Sequence, residues 1–194
     1  MTKKADLFEA IAGKNRGLVA TELEKQAISI AIANLEDLNP TPRPVEAPEL
    51  LDGNWLLIYT TSKTLLNLDR LPLYKVGPIY QCIRVGSNSV YNIAEIYGLP
   101  SLEGLISVTA KFDPTSERRV SVKFNRSIIG LQRFIGYESP ENFIQQIDAG
   151  KKFIAADFPL NSGEQQGWLD ITYLDNNLRI GRGNEGSVFV LTKA

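Results

Sequence analysis

The 194-residue sequence predicts a mainly β fold: an antiparallel up-and-down β-barrel with N-terminal α-helices and one short helix before the last strands. From Trp55 onward the spacing of apolar residues changes from 3.6 to 2. Strand-like runs then fall at 55–61, 80–85, 90–96, 105–112, 119–125, 168–174, 178–182 and 187–191. The turn clusters "VGSNS", "DPTSE", "LDNN" and "GNEGS" separate several of them. The alternation is clearest in "RRVSVKFNR", where Val120, Val122 and Phe124 share one face and Arg119, Ser121, Lys123 and Asn125 the other. One dry and one wet face is what an antiparallel sheet closing on itself requires.

Before the sheet, residues 1–38 read as a helical segment. Thr2 is placed to cap a helix with Leu7, Phe8 and Ile11 on its apolar face and Gly13 at its end. Thr21 and Glu24 form a capping box for a second helix. Leu23, Ala27, Ile28, Ile30, Ala31, Ile32 and Leu35 spread over about half its circumference, which predicts burial on more than one side. Residues 39–52 form a strap in which Pro40, Pro42, Pro44 and Pro48 favour extended, polyproline-like chain. Residues 53–194 follow as one integrated barrel, interrupted by a short helix that Ser139 caps, Pro140 begins and Gly150 ends. Cys82, in mid-strand, reads as a small buried hydrophobe rather than an attachment point for a chromophore.

Composition narrows the function. A formal net charge of −1 argues against nucleic acid as a partner. The chain has no histidine, so no Ser-His-Asp or Cys-His nucleophile, His-ligated haem or His-containing zinc site is available. No phosphate-cradling glycine loop or nucleophile elbow is present either, and no catalytic residue, metal ligand or cofactor is assigned. No apolar run approaches the roughly 20 residues of a membrane-spanning helix, so contact with a membrane is expected to be peripheral. The opening "MTKKADLFEAIAGKNRG" is too polar for a secretory signal and too short and acidic for an organellar transit sequence.

"LLDGNWLLIYTTS" sets a Gly-x-Trp in front of the first strand, and arginines stand in the penultimate strand run. That is the lipocalin arrangement, in which an indole plugs the narrow end of a barrel and a guanidinium lies across it. Gly53 and Trp55 supply the first part; Arg179 or Arg182 supplies the second, with Trp55 as plain core filler left open. "NRGLVAT", "NPTPRP", "YQCIR" and above all "GWLDITYLDNNLRIGRGNEGSVFVL" resemble the plastid lipid-associated protein family, also called PAP/fibrillin or plastoglobulin, from about Leu7 to Leu191. The resemblance implies a lipocalin-like barrel without established catalysis, associated with lipids, thylakoid membranes or droplets and with isoprenoid or quinone-type molecules. The missing transit sequence suits a cyanobacterial member, cytoplasmic or peripheral on the thylakoid membrane.

The residues that carry over are Trp168, Asp170, Tyr173, Asp175, Arg179 and Arg182, either to touch a ligand or to hold the barrel shut. Asp175 reads as a turn acid, and Asp170 is placed to pair with Arg179 across a hairpin. The expected ligand set is Trp55, Leu57, Tyr59, Val122, Phe124, Trp168, Tyr173, Arg179 and Arg182, with Trp55, Leu57 and Tyr59 on one face. The basic segment Arg118, Arg119, Lys123, Arg126 and Arg133 reads mainly as solvated strand face, with anionic headgroups as the alternative. Three functions stay open: a barrel buffering an apolar molecule or lipid, a lipocalin-like chromophore (bilin) lyase, and a lipid-surface coat without a cavity.

Overall fold

All three expected N-caps form. Thr2 Oγ1 accepts the Ala5 amide and starts α1 (Lys3–Ile11). Thr21 and Glu24 close their box, Thr21 N donating to Glu24 Oε2 at 2.8 Å and Glu24 N to Thr21 Oγ1 at 3.3 Å, to start α2 (Glu22–Glu36). The computed structural model describes residues 2–68, 74–98, 100–160 and 166–194. α2 buries a single face through Ile28, Ile32 and Leu35, while Leu23 and Ile30 stay 78% and 63% exposed. The expectation of burial on several sides therefore fails. A helix lying on the outside of a barrel meets the wall along one stripe only.

The strands are β1 (Gly53–Thr60), β2 (Lys75–Arg84), β3 (Ser89–Tyr97), β4 (Gly104–Pro114), β5 (Arg119–Leu131), β6 (Ala156–Pro159), β7 (Gln166–Leu174), β8 (Leu178–Gly183) and β9 (Val188–Lys193). All pairings are antiparallel, in the order β4-β3-β2-β1-β9-β8-β7-β5, and β5 returns onto β4 to close the ring. β5 runs past the expected end at Asn125, where a bulge shifts the register so that Ala110 faces Phe124 and Thr109 faces Arg126. Its first half pairs with β7; its second half pairs with the short β6, which the sequence had not signalled.

The strap coils rather than extends. A 3₁₀ turn (Pro44–Glu46) and the single-turn α3 (Pro48–Leu51) each begin on a proline, where the missing N–H costs no helical bond. Ala47 and Leu51 are pressed into the core at the end of the barrel where β1 begins. At the opposite end α4 (Lys63–Leu68) follows β1, and Leu65 and Leu68 pack against the same core. α5 (Gln132–Ile135) follows β5, and α6 (Pro140–Asp148) is capped by Ser139, whose Oγ accepts the Asn142 amide at 3.2 Å.

Three apolar clusters result. One lines the lumen; one lies between α1, α2 and the outer wall of β1, β7, β8 and β9; the third puts Phe143 and Ile144 of α6 on the outer faces of Cys82, Tyr91, Ile93, Leu105 and Ile128.

Candidate functional site

The lumen's closed end is built on Trp55, fully buried in β1. Gly53 precedes it with φ +120°, a conformation that favours glycine, and a β-carbon there would stand 3.1 Å from Lys193 Cε. The indole N–H donates to Leu51 O at 2.8 Å, which ties α3 to the barrel floor. Two cations meet the ring: Arg179 Cζ lies 5.1 Å and Lys193 Nζ 4.5 Å from the ring centroid. Lys193 also donates to Leu50 O at 2.8 Å and to Asp52 O, fastening the last strand to the strap.

Arg179 is 2% exposed. Its Nη2 donates to Gln81 Oε1 on β2, three strands away around the ring, so the side chain crosses the lumen instead of following the wall. Gln81 Nε2 donates to Asn92 Oδ1 at 2.9 Å, and Asn92 Nδ2 to Val108 O at 3.3 Å. Among the described residues no carboxylate bonds to Arg179, and its Nε has no partner. Desolvation pulls its pKa down to about 9.

Toward the other end the lumen is apolar. Leu57, Val76, Ile79, Ala94 and Ile96 are buried there, with Ile106, Val122, Phe124 and Phe189 partly buried against them. Leu65 and Leu68 of α4 lie over this end. Two hollows, of about 380 and 480 Å³, sit on the outer wall, one bordered by Tyr91, Lys111 and Asp148 and the other by Arg118, Arg119 and Asp170.

Of the nine expected ligand residues, Trp55, Leu57, Val122, Phe124 and Arg179 belong to this lumen. Four do not. Tyr59 and Tyr173 join the cluster under α1 and α2, because register shifts after Leu57 and after Ile171 turn each tyrosine to the outer face. The expected common face of Trp55, Leu57 and Tyr59 is thereby split. Trp168 is 36% exposed on the outside, with Arg119 Cζ 4.0 Å from its ring centroid. Arg182 lies outside too, its Nε and Nη2 holding Glu36 of α2 at 2.9 and 2.7 Å.

Residues 1–192 of the 194 match the family model described as PAP_fibrillin. The chain belongs to the PAP/fibrillin family. It is 37% identical to "Light-induced protein, chloroplastic" of Solanum tuberosum, over 98% of this chain and 66% of that protein. It is 36% identical to "Probable plastid-lipid-associated protein 2, chloroplastic" of Arabidopsis thaliana, over 98% and 70% of the two chains. It is 34% identical to "Chromoplast-specific carotenoid-associated protein C1, chromoplastic" of an Oncidium hybrid cultivar, over 98% and 68%. The chain thus spans about two-thirds of the length of these relatives.

In this PAP/fibrillin chain the C-terminal block mostly braces the wall. Asp175 is the expected turn acid: its Oδ1 accepts the Asn177 and Leu178 amides at 2.8 Å, and Lys4 and Tyr173 donate to Oδ2 at 2.7 Å. Burial works to raise its carboxyl, but these bonds outweigh it and hold the group below the usual carboxylate range. Asp170 pairs with Arg119, at 2.6 and 2.7 Å, and not with Arg179, because register places it opposite Arg119 on β5 while Arg179 points inward. In the basic segment Arg126 is held by Asp157 and Arg118 by Pro42 O. Cys82 is fully buried, and desolvation pushes its thiol up to about 12, which leaves no accessible thiolate for a chromophore. No helix among the described residues is long and apolar enough to cross a membrane.

Gln81 and Asn92 escaped the sequence reading, yet alternation marks them. Gln81 stands between the lumen residues Ile79 and Ile83, and Asn92 between Val90 and Ala94, each a polar residue in an inward register. Arg16 escaped as well. Its carbonyl accepts the Thr60 amide at 3.0 Å and its guanidinium bonds Val76 O and Gly77 O, which stitches the N-terminal loop to the rim where β1 ends.

Proposed function

We propose that the barrel holds or buffers an apolar molecule of isoprenoid, quinone or acyl character at a lipid surface, without chemistry on it. The observation that carries the reading is the asymmetry of the lumen. One end is plugged by Trp55, Arg179 and the strap; the other is apolar and, among the described residues, is met by the short α4. Trp55, Leu57, Val122, Phe124 and Arg179 are the assigned ligand residues. The plastid-lipid-associated and carotenoid-associated names of two relatives support the same class of ligand.

The rim at that end supports peripheral contact with lipid. Tyr97 closes β3 there and Ile129 and Phe134 lie where β5 runs into α5, each more than 40% exposed. Exposed aromatic and aliphatic tips of this kind insert at the headgroup boundary. The contact makes the lipid phase the source and sink of the ligand.

The two tryptophans give the test, because only Trp55 faces the lumen. A Trp168→Phe chain reports on Trp55 alone, and titration with a long-chain quinone or carotenoid should quench it saturably at about one ligand per chain. Flat emission with quinones, carotenoids and fatty acids, together with retained binding to vesicles, replaces this reading with that of a surface coat.

A further inference from the structure

Taking the lumen as the ligand chamber proposed above, we infer that its floor is a carboxylate-recognition site: Arg179, presented by Gln81 and Asn92, receives the head of a long-chain monocarboxylic acid whose tail lies in the apolar upper lumen. The argument starts from an imbalance of charge. A guanidinium carries five N–H donors and stays ionised in proteins. Arg179 is 2% exposed, yet among the described residues it finds one neutral acceptor, Gln81 Oε1, and its Nε finds none. An unpaired buried charge is strongly unfavourable, and the face of an indole offsets only part of that cost.

The neighbours do not relieve the imbalance. Lys193 lies on the same ring 4.5 Å away and adds a second positive charge. The amide chain runs one way, Arg179 to Gln81 to Asn92 to Val108 O, and each of its acceptors is a neutral oxygen that already takes one donor. Asp52 acts on Lys193, but among the described residues Arg179 has no acceptor with a negative charge.

The geometry selects the kind of anion. The guanidinium fork matches a planar carboxylate through two parallel N–H···O bonds. Above it the walls are Leu57, Ile79, Ala94, Ile106 and Phe124, which solvate a hydrocarbon tail but offer a polar group nothing. A ligand acidic at one end and apolar along its length therefore satisfies both halves of the chamber at once. Fatty acids and isoprenoid acids share that chemistry.

Calorimetric titration of the full chain at pH 8 with palmitate, 1-hexadecanol and a long-chain quinone tests this. Palmitate should bind at least tenfold more tightly than hexadecanol. Arg179→Met keeps the bulk over the indole and removes the charge; the ratio of palmitate to hexadecanol affinity should fall to about one. Arg179→Lys keeps the charge without the fork and should retain only part of the preference. It also serves if the methionine variant fails to fold by circular dichroism. Equal affinity of the wild type for acid and alcohol overturns the inference and leaves the apolar chamber standing. So does a preference that survives both substitutions. Binding of none of the three ligands overturns the chamber itself.

Discussion

Asp157 shows how one ion pair reinforces a short strand at the edge of the sheet. β6 is only four residues long, and Arg126 clamps it by two bonds, Nε to Oδ1 at 2.8 Å and Nη2 to Oδ2 at 2.7 Å, with the Phe153 amide donating to the same carboxylate at 3.2 Å. The Arg126 guanidinium, set against a smaller opposing effect of burial, holds the Asp157 carboxyl below its ordinary value. A carboxyl depressed on folding adds stability that is complete above its unfolded pKa, near 4, and is lost as pH falls through the lower folded value. Asp157→Asn should therefore cost about 1–2 kcal/mol at neutral pH, after allowance for partial exposure of the pair. In urea denaturation the gap between variant and wild type should stay constant from pH 8 to 5 and close only below about pH 4. A gap that closed near pH 6 would mean another group is responsible.

At the scale of elements, the outer helices matter through the stripe that touches the wall. Ile28 is fully buried on that stripe and Ile30, two residues on, is exposed. Ile28→Ala should lower stability by about 2–4 kcal/mol, with both lost transfer energy and a cavity contributing. Ile30→Ala should stay within about 0.5 kcal/mol of wild type. Guanidinium melts of the two variants decide it, and similar losses from both would mean that α2 is covered on its outer face as well. The bulges act at this scale too. By shifting register after Leu57 and Ile171, they send Tyr59 and Tyr173 outward to receive α1 and α2 while Trp55, Ile171 and Leu174 stay in the lumen core. One extra residue in a strand turns a lumen position into a helix-docking position.

For the molecule as a whole, a ligand enclosed by the ring binds the folded state and has no counterpart in the unfolded chain. At a free concentration about 100 times Kd, such a ligand adds about 2.7 kcal/mol. For a chain of this size that amounts to a rise in Tm of roughly 5–11 °C. Differential scanning calorimetry with increasing palmitate or quinone should show Tm climbing with concentration while the transition remains single. Adsorption to the rim alone would give no saturable shift.

Much was written in the chain itself. Thr2, Thr21 with Glu24, and Ser139 with Pro140 announced three helices through hydrogen bonds that span three residues, so no distant partner was needed to read them. Period-2 alternation announced the strands, because side chains of a strand must point to opposite faces wherever it pairs. Gly53, Trp55 and Arg179 could likewise be read as a barrel floor. What alternation leaves open is which face is lumen and where a bulge reverses it. A bulge depends on the partner strand, and for that reason Tyr59 and Tyr173 were assigned inward and are found outside; Trp168, where the register does not shift, was assigned to the wrong face. Only closure of the ring brought Arg179 of β8 to Gln81 of β2, 98 positions apart, and left a buried cation that no carboxylate among the described residues bonds. Local bonding rules act within a few residues and are legible in sequence, whereas charge balance in an enclosed lumen is a property of the closed surface.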